Sequence, residues 1–566
     1  MKKLLLSALS MISFAVTQAQ QWGDYTLYSA KGGTTAYLID TMDSPNTFHT
    51  WNFSSAYKSG YSCYLLPGGF LLRSVTKTGN YFSGGPITGE VQKVDWNGNV
   101  VWDYIYSTND YCTHHDIKPM PNGNVLLIAY ERKSMTEVAD AGANNTSIEM
   151  WPDKIVEVQP VGTNSGNIVW EWHAWDHMCQ NANPAKANYV TSISAHPELL
   201  NINNMQAKDW LHVNGVDYNA QLDQIVISSH MWSELFVIDH STTIAEAASH
   251  SGGNSGKGGD ILYRWGNPQN YGAGTSANKI LNIVHDAHWV PQGCPKAGYL
   301  VGFNNLGQTS PSQKSCVDLV NPPVNGYNYT LSGSAYSPAT YDWRLVGLGY
   351  TSNEGGCQQL PNGNMLVTIA LSGLIYEVDS NKTVLWQQTI TGGPTGGVGA
   401  KVFRYSACYI SGTPPIAPTI SKTADTLFAS GNATKYIWYK NGAVIMGATN
   451  SKYSPTQNGA YTVKAVDSFG CASSESTAFS FTTGIGDIIT EEINVVYPNP
   501  TTGILTIDAS KLGNNYEVKV FDNLGKEIIN QKNVNSLNLS NFENGIYHLL
   551  FITPEKTAHQ QITLVK

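Results

Sequence analysis

The chain has 566 residues, of which 13% are charged and 11% aromatic, and it contains 53 glycines. The formal net charge is −9 and no Lys/Arg-rich run occurs, which excludes the basic face that nucleic-acid binding requires. Few charges with many aromatic and turn-forming residues favour short strands joined by tight turns, so we predict an all-β protein of about two to four domains.

The N-terminus has the pattern of a secretory signal peptide. Lys2 and Lys3 precede an apolar run from Leu4 to Val16, and Ala19 is a small residue at the expected cleavage site. We therefore predict a signal peptide over residues 1–19. The apolar run is too short to span a bilayer and no later stretch approaches about 18 apolar residues, so we expect no transmembrane segment in the mature protein.

A repeated phrase follows between residues 20 and 410. It consists of a turn of the Pro-Asn-Gly-Asn type, an apolar strand, a second strand, and then Asn-Gly-x-Val-x-Trp or a shorter form of it. Its clearest copies begin with the turns at 66–72, 120–128 and 360–367. Asn-Gly between apolar runs is a strong hairpin signal, and a long repeat with several strands per unit indicates propeller blades carrying insertions. We predict a β-propeller over 20–410 with five or six blades, six being preferred.

Two small β-sandwich domains are predicted after the propeller. The Pro-rich segment 411–418 is a linker, and residues 419–483 alternate apolar and polar positions in the manner of an immunoglobulin-like domain. Trp438 should pack inside it. Only Cys471 lies in this region, so the intersheet disulfide of antibody domains is not expected. A second linker at 484–493 leads to a last domain at 494–566.

The last domain resembles the C-terminal sorting domain of the type IX secretion system of Bacteroidota. The resemblance rests on phrases in a fixed order at the end of the chain: Tyr497-Pro-Asn-Pro500, Gly503-Ile-Leu-Thr-Ile507, Val518-Lys-Val-Phe-Asp522, Leu539–Tyr547 and Gln561–Lys566. It implies a secreted or cell-surface protein with the type IX secretion machinery as a partner. The alternative is one more small sandwich without that address.

Eight cysteines are spread over more than 400 residues, and none forms a CxxC pair. This spacing argues against zinc ribbons and thioredoxin-like chemistry. Some of the cysteines could pair outside the cytoplasm, and Cys294–Cys316 is the most plausible bridge because it closes a local loop. The connectivity is not readable from the sequence.

Eleven of the 14 histidines fall between His114 and His288. His115 and His285 each lie six residues before the proline of a turn, and each is followed by an aspartate. Because a repeat puts equivalent residues at equivalent places, we predict that both histidines lie where the innermost strand of a blade begins and face the central axis. Asp116 and Asp286 either orient the imidazoles or cap turns. Packed structural histidines are the alternative, although the equivalent residues in two other copies are not histidines.

Three phrases together resemble the arylsulfotransferase family over roughly residues 60–400. They are His-His-Asp-Ile with Pro-Asn-Gly-Asn near His115, Asp-Trp-Leu-His-Val-Asn around His212, and His-Asp-Ala-His-Trp from His285, which precedes Asn304-Asn305. The family implies a six-bladed propeller that moves a sulfuryl group from a phenolic sulfate to a phenol through a sulfated histidine. No adenosine phosphosulfate donor, cofactor or metal is implied.

The resemblance implies a role for each of four histidines. His285 would be the nucleophile, and His115 and His212 would hold the sulfuryl oxygens. His230 occupies the place of an arginine in the family. Because histidine carries a charge mainly below about pH 6.5, we expect an activity that is reduced or shifted toward acid.

Further positions carry weaker expectations. Asn304 and Asn305 are assigned to loop geometry rather than to chemistry, and Trp232 and Trp289 are candidates for a phenol-binding rim. His173 and His177 have the i, i+4 spacing of metal ligands, but their segment is predicted as strand then loop, so we expect core packing instead.

The sequence thus favours a secreted or cell-surface arylsulfotransferase with phenolic donor and acceptor. Two alternatives remain: a non-catalytic surface binding or adhesion propeller that has lost the arginine, and a metalloprotein that uses the axial histidines.

Overall fold

The computed structural model describes residues 21–390, 399–482, 491–554 and 556–566. The predicted signal peptide and most of the predicted 484–493 linker lie outside the described residues. The chain separates into two compact units, the first running to Pro415 and including Asp467–Ala472, the second containing Ile416–Val466 and Ser473–Lys566.

The first unit is built from short strands with three short helices. Its strands are β1 (Tyr25–Ser29), β2 (Thr35–Asp40), β3 (Thr47–Asn52), β4 (Ser59–Leu66), β5 (Phe70–Thr76), β6 (Gly89–Val94), β7 (Val100–Ile105), β8 (Tyr111–Pro119), β9 (Val125–Glu131), β10 (Asp153–Val161), β11 (Ser165–His173), β12 (Met178–Cys179), β13 (Leu200–Asn201), β14 (Val213–Asn219), β15 (Gln224–Ser229), β16 (Glu234–Asp239), β17 (Tyr263–Trp265), β18 (Val284–Trp289), β19 (Leu300–Gln308), β20 (Lys314–Val320), β21 (Val324–Asn325), β22 (Asn328–Tyr329), β23 (Leu331–Ser332), β24 (Ala335–Tyr336), β25 (Trp343–Val346), β26 (Gly356–Gln359), β27 (Met365–Ile369), β28 (Leu374–Val378), β29 (Val384–Thr389) and β30 (Phe403–Tyr405). Its helices are α1 (Met135–Asp140), α2 (Ile244–Ala247) and α3 (Ala407–Ser411).

Most of these strands form four-stranded antiparallel sheets, six of them among the described residues. Their strand orders are β4-β5-β6-β7, β8 to β11 in sequence, β14-β15-β16-β17, β18-β19-β20-β25, β26-β27-β28-β29 and β30-β1-β2-β3. The last sheet joins the two ends of the unit, since β30 pairs with β1. The all-β propeller prediction is confirmed; the number of blades stays a prediction, because residues 391–398 lie outside the described part.

The first strands of the six sheets contact one another in succession. β4 contacts β8, β8 contacts β14, and the series continues through β18 and β26 to β30. The backbone N–H of Leu65 on β4 donates to the hydroxyl of Tyr405 on β30 at 3.1 Å, which closes the ring of inner strands. The inner strands are buried almost throughout, so their side chains meet near a common axis.

The repeated turns lie where the sequence predicted them. Gly123 (φ 88°) and Gly363 (φ 90°) occupy the left-handed region in the turns that join the inner strands β8 and β26 to their neighbours. A side chain is disfavoured at such a φ, which explains glycine at these positions. A histidine six residues before the turn proline therefore lies on an inner strand.

The second unit contains two pairs of small sheets. Its strands are β31 (Ile420–Thr423), β32 (Thr426–Ala429), β33 (Lys435–Lys440), β34 (Ala443–Val444), β35 (Lys452–Tyr453), β36 (Gly459–Val466), β37 (Phe479–Phe481), β38 (Glu491–Glu492), β39 (Val496–Tyr497), β40 (Ile504–Ile507), β41 (Glu517–Phe521), β42 (Glu527–Lys532), β43 (Ser536–Asn538), β44 (Gly545–Ile552) and β45 (Thr557–Leu564). The first pair is β31-β32-β35 and β34-β33-β36-β37; the second is β38-β45-β44-β41-β42 and β39-β40-β43. Trp438 is fully buried in the first pair, as expected. The immunoglobulin-like assignment and the domain boundaries stay predictions.

The predicted Cys294–Cys316 bridge is wrong, because both thiols are free and buried. The disulfide among the described residues joins Cys408 on α3 to Cys471, which lies in the loop that belongs to the first unit. A bridge that spans 63 residues has no local signal in the sequence, whereas Cys294 and Cys316 would close a short loop.

Among the described residues, no helix combines the length and the apolar character needed to cross a lipid bilayer.

Candidate active site

The four predicted site histidines, His115, His212, His230 and His285, line one cavity of about 890 Å³. Their rings follow one another, with centroids 4.7 Å apart for His115 and His212, 4.7 Å for His212 and His230, and 5.4 Å for His230 and His285. The structure brings all four together, and their individual roles stay a prediction.

Irregular inner strands turn these side chains toward the cavity. The β8–β9 register shifts around His115, and the β18–β19 register shifts just after His285. His115 (φ 52°), His212 (φ 51°) and Asp286 (φ 58°) adopt the left-handed region, which costs roughly 1–3 kcal/mol for a non-glycine residue. Bulges with such backbone re-aim side chains and occur next to active sites.

Asn305 fixes the protonation of the His285 ring. The side-chain amide of Asn305 donates to the carbonyl of Thr351 at 3.0 Å and to that of Glu354 at 2.8 Å. Its Oδ1 therefore faces Nδ1 of His285, at 2.7 Å. Because this oxygen can only accept, Nδ1 carries the proton and Nε2 carries the lone pair.

The lone-pair nitrogen of His285 lies against a backbone amide. The N–H of Glu354 donates to Nε2 at 3.2 Å, and Glu354 itself has a left-handed backbone (φ 58°). Burial, followed by the proximity of His230, lowers the pKa of His285 well below 6.5. The ring is thus neutral at ordinary pH, which is the state of a nucleophilic imidazole.

His212 forms a dyad with a carboxylate. Its Nδ1 lies 2.6 Å from Oδ2 of Asp209, which also accepts from the hydroxyl of Tyr130 at 2.9 Å. Burial raises the pKa of Asp209, but the hydrogen bond and charge of His212 outweigh burial and leave it below 3.8. The dyad holds the His212 ring with Nε2 free for chemistry in the cavity.

His115 is held by its neighbour in the chain. Nδ1 of His114 lies 2.7 Å from Nδ1 of His115, so one nitrogen donates and the other accepts. The His114 ring stacks on Tyr130 at 3.6 Å between centroids. Burial lowers the pKa of His114 to about 3 and that of His115 well below 6.5, so both rings are neutral.

His230 differs from the other three in that it is not held through Nδ1. Its Nδ1 is buried and has no hydrogen-bond partner among the described residues. Burial, and then the neighbouring His212, lower its pKa to about 4. The ring therefore offers hydrogen bonds to a ligand but no charge at neutral pH. This burial means that His230 is protonated only at a more acidic pH than the value of about 6.5 expected from the sequence.

The loop of residues 77–88, between β5 and β6, covers the histidines. A Cβ atom built on Gly85 would lie 2.2 Å from Cε1 of His115 and 2.7 Å from Nε2 of His212, so only glycine fits. Phe82, from the same loop, lines the cavity. The predicted rim of Trp232 and Trp289 is wrong: Trp232 is fully buried against Trp210, and Trp289 is buried at another cavity.

Asp116 and Asp286 do not orient the site imidazoles. Both bind the ammonium group of buried Lys401, which lies 2.7 Å from Asp286. Burial lowers the pKa of Lys401, but the two carboxylates outweigh it and hold that pKa far above 10.5. Lys401 had no signal in the sequence. A second cavity, of about 640 Å³, is lined by Lys401 and His288 and by none of the four site histidines.

Asn304 and Asn305 were wrongly assigned to a loop, because both lie within β19. Asn305 is the contact of His285 that sequence reasoning missed. The sequence signal for Asn305 is its place after His285 in the phrases that resemble the family, although loop geometry is predicted for that place.

The histidines with metal-ligand spacing have separate partners. His173 pairs with Glu131 and Glu171, whereas Nδ1 of His177 lies 2.9 Å from Asp260 and its Nε2 lies 2.8 Å from the carbonyl of Ala247. His173 and His177 therefore do not converge on one point, in agreement with the packing expected for them.

The chain belongs to the arylsulfotransferase family: the sequence model of the family described as arylsulfotransferase (ASST) matches residues 73–390. The match covers more than half of the chain and includes the four histidines and Asn305.

A second family model, described as a secretion system C-terminal sorting domain, matches residues 495–565. The type IX sorting domain predicted from the sequence is confirmed, and it indicates export to the cell surface or secretion. The protein is a secreted arylsulfotransferase-like propeller.

Solved structures with a similar arrangement are distant. A protein of unknown function from Bacteroides caccae is 10% identical, with 67% of this chain and 98% of that chain covered and a TM-score of 0.38. Virginiamycin B lyase from Staphylococcus aureus is 10% identical, with 72% and 91% covered and a TM-score of 0.31. A putative 6-phosphogluconolactonase from Bacteroides fragilis is 12% identical, with 65% and 96% covered and a TM-score of 0.33. Such scores support no inference about activity. No curated protein matches the chain.

Proposed function

We propose that this protein transfers a sulfuryl group from a phenolic sulfate ester to a phenolic acceptor through a sulfohistidine at His285. The observation that carries the proposal is the tautomer of His285. Its Nδ1–H is held by Asn305, and its Nε2 lone pair accepts a 3.2 Å hydrogen bond from the Glu354 amide at the cavity that all four histidines line.

In the first step the Nε2 lone pair of His285 attacks the sulfur of the donor. The N–S bond forms while the bond from sulfur to the aryl oxygen breaks, and the electron pair leaves on that oxygen as a phenolate. The Nδ1 proton stays on the ring, where Oδ1 of Asn305, 2.7 Å away, stabilises the positive charge that develops.

In the second step the acceptor phenol attacks the sulfur and the N–S bond returns its electron pair to His285. The phenol proton passes to Nε2 of His212, and Asp209 stabilises the resulting imidazolium through its 2.6 Å contact with Nδ1. The transfer otherwise depends on positioning and on donors to the sulfuryl oxygens, as in phosphoryl transfer. His115 and His230 supply these donors, and the Glu354 amide joins them once the N–S bond has displaced it from Nε2 of His285.

A second candidate function is a non-catalytic binding propeller at the cell surface. It is favoured by His230, which stands in place of a permanent cation and whose pKa of about 4 leaves it neutral. Histidine offers fewer donors than the planar fork of arginine.

The test uses the purified protein with a chromogenic phenyl sulfate, with and without an added phenol, over about pH 5 to 9. We expect phenol-dependent release of the chromophore, its loss in His285→Asn, and its retention in the control His288→Asn, a residue of the same strand that does not line the cavity. A folded protein without release at any pH would support the binding function instead.

A further inference from the structure

The cavity of the four histidines is positively charged in an acidic protein. The chain has a net charge of −9, yet Lys31, Lys58 and Lys77 line this cavity against one carboxylate, that of Glu354. The histidine rings with lowered pKa values add no charge at neutral pH. The permanent cations of the cavity among the described residues are therefore these three lysines.

The lysines lie at the mouth of the cavity and the reactive histidines at its floor. Lys31 is in the turn between β1 and β2, Lys58 directly precedes β4, and Lys77 directly follows β5. The side chains of Lys31 and Lys77 are 28% and 39% exposed, and Lys58 is exposed. His115 and His285 are each only 1% exposed. When the sulfuryl group is bound at the histidines, the lysines can thus contact the remaining part of the donor.

The three lysines differ in the carboxylates that they already contact. Lys31 forms an ion pair with Glu354, and Lys77 lies 3.9 Å from a carboxylate oxygen of Glu90. Within the described part of the chain, Lys58 has no carboxylate within the 4.0 Å that defines an ion pair. It is the ammonium group of the mouth that is most available to a ligand.

We propose that the mouth, through Lys58, binds a second anionic group on the donor, so that the preferred substrates are aryl sulfates whose ring also carries a carboxylate or another sulfate. The inference rests on the proposed function, since it places the reacting sulfate at the histidines. Phe82 lines the same cavity and provides an apolar contact for the aryl ring.

The test compares two donors that carry groups of nearly equal size but different charge at one ring position. They are 4-nitrophenyl sulfates with either a carboxylate or a carboxamide meta to the ester. We expect kcat/KM for the carboxylate to exceed that for the carboxamide about tenfold at low salt, because a cleft lined by one charge attracts the opposite charge. The preference should weaken as the ionic strength rises.

Substitutions in the full chain test whether the lysines at the cavity mouth cause the preference for the carboxylate donor. Lys58→Gln should reduce the ratio to about one to two. The control is Lys382→Gln, an exposed lysine in the turn between β28 and β29 that does not line the cavity, and it should keep the wild-type ratio. Equal kcat/KM values for the two donors in the wild type, or an unchanged ratio in Lys58→Gln, would overturn the inference.

A binding measurement separates this inference from the proposed function. The dissociation constants of the two sulfates for His285→Asn, measured by calorimetry, should differ in the same direction and converge when Lys58→Gln is added. Preferential binding without turnover would retain the anion site and refute the transferase. Turnover of both donors with equal affinity would retain the transferase and refute the anion site.

Discussion

At the scale of single residues, the site contains imidazoles that burial keeps neutral, among them His285 and His230. His285 carries its lone pair on Nε2, where it accepts from the Glu354 amide, because Asn305 holds the opposite nitrogen. His230 is neutral because burial lowers its pKa to about 4. The chemistry therefore depends on hydrogen-bond donors of modest strength rather than on a permanent cation next to the sulfuryl group.

His230→Arg should raise kcat/KM for a phenyl sulfate roughly 10- to 100-fold, because a permanent planar donor would face the charge that develops on the sulfuryl oxygens. The measurement is steady-state kinetics beside His230→Ala, which removes the ring without adding charge. A loss of activity in His230→Arg equal to that in His230→Ala would contradict this account.

The pH profile of the wild type follows from the same residue. A pKa of about 4 means that His230 is neutral at pH 5 and above and gains charge only as the pH falls through about 4. We expect kcat/KM for the sulfate donor, which reports the sulfation of His285 and not the later proton transfer to His212, to stay level from about pH 8 to 5.5 rather than to rise. An acid-side rise centred near pH 6.5 would show that His230 is solvated and would restore the expectation drawn from the sequence.

The four histidines could be found from the sequence because they lie within recognisable phrases. Asn305 was named but assigned to a loop, since its contact with His285 depends on the strand pairing and shifted register of β18 and β19. The pKa of His230 could not be inferred, because burial is a property of the folded cavity. The Lys401 cluster was missed because it joins three distant parts of the chain.

At the scale of elements, the loop of residues 77–88 fixes the distance between its own backbone and two site rings. The N–H of His115 donates to the carbonyl of Pro86 at 2.9 Å, and Gly85 leaves no room for a side chain next to His115 and His212. The hairpin pattern predicted the strands on both sides of this loop. It could not predict the loop's path, because the path depends on contacts with β8 of the next sheet.

Gly85→Ala should lower kcat roughly 10- to 100-fold, because a misplacement of about 1 Å at reacting groups has an effect of this size. Overpacking against the buried His115 ring should also cost about 1–3 kcal/mol of stability. The control is Ser83→Ala, an exposed residue of the same loop. The measurements are kcat and thermal unfolding. Unchanged kcat in a folded Gly85→Ala protein would show that the loop adjusts without moving the rings.

At the scale of the whole molecule, the chain joins a β-propeller to a unit that carries its export address. The propeller closes by pairing β30 with β1. The repeats predicted the blades but not this pairing of the two ends. The Cys408–Cys471 bridge was not anticipated, because a pairing over 63 residues has no local signal.

Deletion of residues 495–566 should abolish activity at the cell surface and in the medium, while leaving kcat of the purified protein unchanged. The reason is that the sorting domain has its own hydrophobic core and that none of its described residues lines the cavity. Activity and immunodetection of cell fractions would test this beside the full-length His285→Asn variant, which should be exported and inactive. Normal surface display of the truncated protein would contradict the assigned role of the tail.

The most direct test of the central claim is mass spectrometry of the protein after incubation with an aryl sulfate in the absence of acceptor. We predict one added sulfuryl group on His285, which disappears when a phenol is supplied and is absent in His285→Asn. No label on an enzyme that releases phenol, or a label on another histidine such as His115, would contradict His285 as the nucleophile.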